Sequence, residues 1–263
     1  MSRRVTQRAV ALLLSSILAL GAASPSMAEN FPLRSIFIDS KVIETAELAK
    51  NYDKHIMVDV RSKMEFEVLH MDGAKHAPVT IVTFLKNLKK AAGGNKAAPI
   101  VFYCNGITCK KSFKADVKAR KHGYTNTRVY DAGIFNWANS NPATSIFLGK
   151  KGVDKNKLIA KSEFTKRLIP KSEFIPLAYD KSYVVFDIRE PLQRQEKNIK
   201  DTIKTVRSVA FDRLVANLKV GALNGKKILV VDAVGKQVRW LQYYLEEAGI
   251  KDYLFLKGGA KSL

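Results

Sequence analysis

The chain has 263 residues, of which 45 are basic and 24 acidic, giving a net charge of +21 at neutral pH, and it holds two cysteines. The lysines are scattered rather than clustered, which argues for small oxyanions, acidic protein partners or anionic headgroups and against a nucleic-acid site. Two cysteines are not the disulfide framework of a small secreted domain, and a chain of this length buries a core without a staple.

The first segment, MSRRVTQRAVALLLSSILALGAASPSMAEN, has the layout of an export signal. Arg3, Arg4 and Arg8 form a basic start, residues 9–23 an apolar stretch, and Ser26-Met27-Ala28 a small-residue cleavage site. Cleavage after Ala28 is expected. The apolar run is shorter than the ~20 residues a bilayer-spanning helix needs, so no stable membrane span is expected after cleavage. The expected location is the periplasm or the medium of a bacterium.

Beyond the leader, short apolar runs read as buried strands and amphipathic runs as helices. In chain order, HIMVDV (55–60), PIVFYC (99–104) and TRVYDAG (127–133) read as strands. VTIVTFLKNLKKAAGG (79–94) and KKSFKADVKARKHG (110–123) read as helices, the second closed by Gly123 after basic residues. Residues 145–172, lysine-rich and containing Pro170, read as a connection. YVVFDI (183–188), KILVVD (227–232) and YLFLKG (253–258) are further strands, and QVRWLQYYLEEAG (237–249) is a helix closed by Gly249.

The two series repeat. An offset of 128 takes Asp59 to Asp187, Arg61 to Arg189 and Cys104 to Asp232. An offset of 126 takes Gly123 to Gly249 and Gly133 to Gly259. The first copy thus carries two extra residues, which are expected in the loop after Cys104, because a helix that absorbed them would rotate its apolar face. The expected fold class is α/β, with two tandem modules, each a mainly parallel sheet with helices on both faces. The expected division is a signal peptide over 1–28, a module with Cys104 over 29–150, and a module with Asp232 over 151–263.

Three stretches of the first copy, in order, resemble the landmarks of the rhodanese family. VDVRSKMEFEVLHMDGAKHAP carries Asp59, Arg61, Glu65, Phe66, His70, Gly73 and Ala74. IVFYCNGITCKKSFKA is a strand ending in a cysteine, then a loop and a helix. DAGIFNWANSNP carries Gly133 and Trp137. The resemblance implies an exported thiosulfate sulfurtransferase-like enzyme in which Cys104 is the catalytic nucleophile. It implies a persulfide on Cys104, loaded from a small anionic sulfur donor and unloaded to a thiol or cyanide acceptor. Asn105, Gly106, Ile107, Thr108, Cys109, Lys110, Lys111 and Ser112 would form the substrate-binding loop.

The departures from the family pattern also matter. The family's loop is Cys-x-x-Gly-x-Arg followed by Ser or Thr. Here Gly106 comes one residue early, no arginine follows, and Cys109 is inserted. Lys110 stands where a cysteine phosphatase would have its arginine, and a lysine cannot grip a phosphate in a bidentate fork. In the second copy Asp232 replaces the cysteine and Gln237 the arginine. A carboxylate cannot carry a persulfide, so that copy is expected to be catalytically silent.

The cysteine pair leaves three roles open: a nucleophile with Cys109 as its resolving thiol, a thiol-disulfide redox couple, or a structural bridge. A non-catalytic binding or adaptor protein on the same fold, docking an acidic partner, is the rival from outside enzymology. Glycine at 106 is expected to allow a tight turn. Asp59 and Arg61 are expected to steady the turn after the first strand, and His70 to bond backbone. Trp137, Trp240, Tyr243 and Tyr244 are expected to pack. No metal or cofactor is expected, since His55, His76 and His122 show no ligand spacing with the cysteines.

Overall fold

Short runs of β-branched and aromatic residues form the central strands, and the amphipathic runs between them form the helices that cover the sheets. The computed structural model describes residues 31–263, and the leader expected over 1–28 lies outside the described residues. The strands are β1 (Ile56–Asp59), β2 (Leu69–Met71), β3 (Lys75–His76), β4 (Ile100–Tyr103), β5 (Thr127–Tyr130), β6 (Ser145–Phe147), β7 (Lys150–Lys151), β8 (Leu168–Ile169), β9 (Tyr183–Asp187), β10 (Arg207–Ser208), β11 (Lys227–Val231) and β12 (Tyr253–Leu256). The helices are α1 (Thr45–Lys50), α2 (Lys63–Val68), α3 (Phe84–Ala91), α4 (Lys110–Lys121), α5 (Gly133–Ser140), α6 (Lys161–Lys166), α7 (Lys171–Tyr179), α8 (Pro191–Glu196), α9 (Phe211–Lys219) and α10 (Val238–Glu247).

One sheet has the order β3-β1-β4-β5 and another β10-β9-β11-β12-β8, and every pairing within them is parallel. The fold is therefore α/β with two parallel sheets flanked by helices. Register follows the repeat. Asp59 lies beside Tyr103, one residue before Cys104, and Asp187 lies beside Val231, one residue before Asp232.

Alternate strand residues face opposite layers, as the period of a strand requires. Val58 and Phe102 pack under α3 and α4 with Phe84, Leu88, Ala115 and Ala119. Met57, Val101 and Tyr103 face the other way, toward Leu48 of α1 and Trp137 of α5. That second cluster continues without a break into Leu214 of α9, Val230 of β11 and Leu241 of α10, so the two sheets share it. Phe135 stacks on Trp240 at 5.7 Å between ring centres, Phe147 meets Tyr243 edge-on at 5.6 Å, and Lys63 pairs with Asp212 at 2.9 Å. Residues 31–263 pack as one compact unit.

Three expectations need correction. Residues 145–172 are not only a connection: β6 pairs antiparallel with β2, β7 pairs antiparallel with β6, and β8 forms the edge of the second sheet beside β12. The helix read over 79–94 starts only at Phe84, because the Val79 amide is bound to the Val60 carbonyl at 3.3 Å, and it stops before Gly93 and Gly94, both left-handed.

The third concerns the two extra residues of the first copy. The strand-to-helix loop is residues 104–109 in the first copy and 232–237 in the second, so the two loops are equally long. The extra residues lie in α4, which has 12 residues against 10 in α10. They cost no rotation because they are added at the C-terminal end, past the residues that set the buried face. Both helices close in the same way, with Gly123 bonding the Arg120 carbonyl and Gly249 that of Glu246. No helix among the described residues is long and apolar enough to cross a membrane.

Candidate functional site

The site is built where β1 and β4 end side by side. Asp59 and Arg61 leave β1 together, and both are fully buried. The Arg61 Nε donates to Asp59 Oδ1 at 2.9 Å and its Nη2 to Oδ2 at 2.6 Å, a two-point pairing that only a guanidinium can make. Arg61 also donates to the Leu69 carbonyl and, through Nη1, to Asn105 Oδ1 at 3.1 Å. The same four-atom unit recurs between Arg189 and Asp187, at 2.9 and 2.8 Å.

Asn105 is the first residue of the cysteine loop after Cys104. Its Nδ2 donates to Glu65 Oε1 at 2.5 Å, so its side chain bridges Arg61 and Glu65. Glu65 is itself fixed by a capping box: Ser62 N and Oγ donate to Oε2 at 2.9 and 2.8 Å. Lys111 reaches the same oxygen at 3.3 Å. Burial pushes the Glu65 carboxyl up, but Arg61, Lys111 and the bonds from Asn105 and Ser62 outweigh it and hold the pKa at about 2.

The other side of the loop lies on the start of α5. The Ile134 amide donates to the Cys104 carbonyl at 2.9 Å, and Gly133 is left-handed with φ of 77°. A Cβ on Gly133 would fall 2.5 Å from the Asn105 carbonyl carbon and the Gly106 Cα. Gly106 is not left-handed, and a Cβ there would meet only the Ala132 carbonyl oxygen at 3.6 Å. The tight place expected at Gly106 is therefore at Gly133, the surface the loop lies on.

Cys104 and Cys109 are joined in a disulfide, with their Cα atoms 6.1 Å apart. Cys104 is buried at 1 % exposure, while Cys109 is half-buried and lines a cleft of about 620 Å³. The opposite wall of the cleft comes from the second copy: Lys161, Lys236, Gln237, Arg239 and Trp240. Among the described residues no carboxylate pairs with Lys161, Lys236 or Arg239. The Arg239 Nε and the Gln237 Oε1 are buried without a hydrogen-bond partner, and the Arg239 guanidinium lies over the Phe135 ring at 4.8 Å. The cleft is an electropositive slot with one of the two cysteines, Cys109, on its wall.

The second copy shows what such a loop does with an anion. Asp232 stands at the position of Cys104, and its carboxylate accepts the amides of Gly235 at 2.5 Å, Gln237 at 2.6 Å and Val238 at 3.3 Å. Burial pushes this carboxyl up while the amides pull it down, and burial prevails. The cradle needs Gly235 in the left-handed region, φ 75°. The matching residue of the first loop is Ile107, a β-branched residue that is not left-handed here. There the Cys109 amide, counterpart of Gln237, donates to the Gly106 carbonyl at 2.8 Å instead. The two loops have equal length and different paths. Below Asp232 the packing matches the first copy: the Ala260 amide donates to the Asp232 carbonyl at 2.7 Å, and a Cβ on Gly259 would fall 2.6 Å from that oxygen.

The residues expected in the loop are therefore distributed as follows. Cys104 is beneath the surface, Asn105 anchors the loop, and Cys109 and Lys111 face the cleft. Thr108 and Lys110 are exposed, Ile107 is half-buried, and Ser112 is buried with its Oγ toward the Cys109 carbonyl at 3.5 Å. His70 bonds the Phe66 carbonyl at 2.6 Å, and Trp137 is buried against Tyr52. Sequence reasoning missed Lys161, Lys236 and Arg239 as part of the site. For the last two a signal existed, since the offset of 128 takes Thr108 to Lys236 and Lys111 to Arg239. Among the described residues no group of His, Cys, Asp and Glu is arranged to hold a metal ion.

Solved structures similar to this chain include a thiosulfate sulfurtransferase from Pseudomonas aeruginosa, at 19% identity and a TM-score of 0.38, covering 84% of this chain and 42% of that one. This chain thus spans less than half of that protein. The 3-mercaptopyruvate sulfotransferase SseA from Escherichia coli is 13% identical with a TM-score of 0.33, covering 84% of this chain and 98% of that one. A Bacillus halodurans protein is 21% identical with a TM-score of 0.38, covering 51% and 94%. No curated protein matches the chain. The segment that supplies Arg61, Glu65, the cysteine loop and Gly133, residues 44–140, matches the rhodanese-like domain family.

Proposed function

We propose that the chain is an exported sulfurtransferase that carries sulfane sulfur as a persulfide on Cys104, with residues 29–150 as the working module and 151–263 as a catalytically silent copy. The observation that carries this reading is the equivalence of Cys104 and Asp232. The second loop gathers three backbone amides around an anion at this strand end. The first loop has the same length but, with the disulfide closed, turns its Cys109 amide to the Gly106 carbonyl, so the reading requires that reduction free that amide for the persulfide. In the first copy the helix that follows is α4. It starts at Lys110, directly after the loop, and its N-cap residue Cys109 makes no side-chain cap bond, so the positive end of the helix is at the loop and without a side-chain cap.

With the disulfide reduced, the Cys104 thiolate attacks the outer sulfur of a donor such as thiosulfate. Sulfite leaves with the bonding electrons, and a Cys104 persulfide remains for a thiol or cyanide acceptor. Lys111, Lys161, Lys236 and Arg239 attract the anionic donor into the cleft. The cysteine bridge suits an oxidising compartment, in line with export after cleavage at Ala28. The test is the release of sulfite from thiosulfate, and of thiocyanate when cyanide is present, by reduced protein and by Cys104→Ser. Release by the first and none by the second is expected. No sulfite from any of several sulfane donors would overturn the reading.

A second reading is favoured by the Cys104–Cys109 bond itself: thiol-disulfide exchange with no sulfur carried. It requires a reversible two-electron couple and no uptake of sulfur by the reduced protein.

A further inference from the structure

We infer that Cys109 resolves the Cys104 persulfide, so that the sulfur leaves as sulfide and each turnover ends in the Cys104–Cys109 disulfide. The chain is then a sulfane reductase driven by a dithiol. This rests on the sulfurtransferase reading and fixes what becomes of the sulfur.

The geometry points to it in three ways. The Cys104 and Cys109 Cα atoms, 6.1 Å apart, are at the separation at which two cysteines bond without backbone movement. The two cysteines are unequally placed: Cys104 is buried and does not line the cleft, and Cys109 is half-buried and does. An external acceptor in the cleft therefore meets Cys109 before it meets Cys104. Cys109 competes at the effective concentration of a group on the same short loop, on the order of mM or above, which external thiols must exceed to take the sulfur first. Finally, the bonded loop is a settled conformation. The Cys109 amide is satisfied by the Gly106 carbonyl, Asn105 keeps both its partners, and no residue of the loop is left-handed.

The step balances. The Cys109 thiolate attacks the inner sulfur, Cys104 Sγ. The Sγ–Sγ bond forms, the bond from Cys104 Sγ to the outer sulfur breaks, and the outer sulfur departs with the electron pair as hydrosulfide, carrying the proton the Cys109 thiol gave up. The sulfane sulfur is reduced by two electrons, and the two cysteines are oxidised by two. A dithiol restores the thiols. It attacks the cleft-facing Cys109 sulfur and expels the Cys104 thiolate toward the helix end, and its second thiol then releases Cys109.

The experiment is a single turnover. Reduced protein, freed of reductant without air, is mixed with an equimolar amount of thiosulfate, and sulfite, sulfide and the alkylated intact mass are read. The expected wild-type result is sulfite and sulfide in equal amounts, with both cysteines closed to alkylation. Cys109→Ser is expected to release sulfite, retain one added sulfur and yield no sulfide. Its sulfite release also shows that the variant is folded. Wild-type protein that keeps the added sulfur, with Cys109 open to alkylation and no sulfide formed, would overturn the inference and leave the sulfurtransferase reading standing. No sulfite from either protein would remove both.

Discussion

Gly133 and Gly106 meet backbone to backbone: a Cβ on Gly133 would fall 2.5 Å from the Gly106 Cα, and Gly133 is left-handed as well. Gly133→Ala must displace the cysteine loop, and is expected to lower stability by at least about 2 kcal/mol. Gly73→Ala is the control. Gly73 is also left-handed, but nothing lies within 4 Å of its added Cβ, so only the conformational cost of about 1 kcal/mol applies. Urea unfolding of the two variants makes the comparison, and equal losses would show that the close approach has no effect.

Arg61 is buried with its charge matched to Asp59. Arg61→Met leaves the Asp59 carboxylate buried and unpaired, at a cost of about 3–5 kcal/mol. Asn105→Ala removes one neutral bridge between Arg61 and Glu65 and is expected to cost about 1 kcal/mol. The readout that separates anchoring from mere stability is sulfite release at a temperature where Asn105→Ala is fully folded. It is expected to fall there, because the loop loses the strut that fixes the strand end.

Acid should weaken the protein through Glu65. Its folded pKa of about 2 lies below its ordinary 4.5, so the folded state favours the charged form. The stabilisation is whole above pH 4.5 and is lost as the pH falls from there toward 2, up to roughly 3 kcal/mol. Unfolding midpoints measured between pH 6 and 2 should slope down over this window, and Glu65→Gln should flatten that part of the curve.

The cleft cations give a kinetic prediction. Arg239→Ala is expected to raise KM for thiosulfate about fivefold, the equivalent of about 1 kcal/mol, with kcat changed less than about twofold. Arg239 belongs to the copy that has Asp232 in place of a cysteine. An unchanged KM would show that the second copy's wall does not hold the donor.

Asp232→Ala leaves the amides of Gly235, Gln237 and Val238 without their acceptor. A loss of about 1–3 kcal/mol is expected, and added sulfate should return part of it to the variant but not to the wild type. Thermal unfolding across a sulfate series reads this directly.

Much of the fold was legible from residues. The six main strands were fixed by runs such as PIVFYC and KILVVD, which are apolar on both faces because helices cover both. The repeat paired Gly133 with Gly259, and each now underlies its own loop. The two extra residues were misplaced because a sequence shows only the distance from Cys104 to Gly123, and a helix lengthened at its far end looks the same as a longer loop. Strands of two or three residues, β6 to β8, carry too few side chains to show a period, and their pairing partners are up to 87 positions away, as with Leu168 and Phe255. The disulfide stayed open among three roles because four intervening residues permit the bond without requiring it. The cationic wall was hidden for another reason. It belongs to the half that has Asp232 in place of a cysteine, and only the shared core brings it across to Cys109.

Asp232 gives the duplication a meaning beyond loss. A cysteine loop must alternate between an empty cradle and a charged one, and the alternation needs backbone that can move. The second loop has its anionic group built in, covalently part of the chain and held by the Gly235 and Gln237 amides. One half of the molecule thus carries a loop already filled by its own side chain, and from beside that loop it presents Lys236 and Arg239 across the cleft to Cys109.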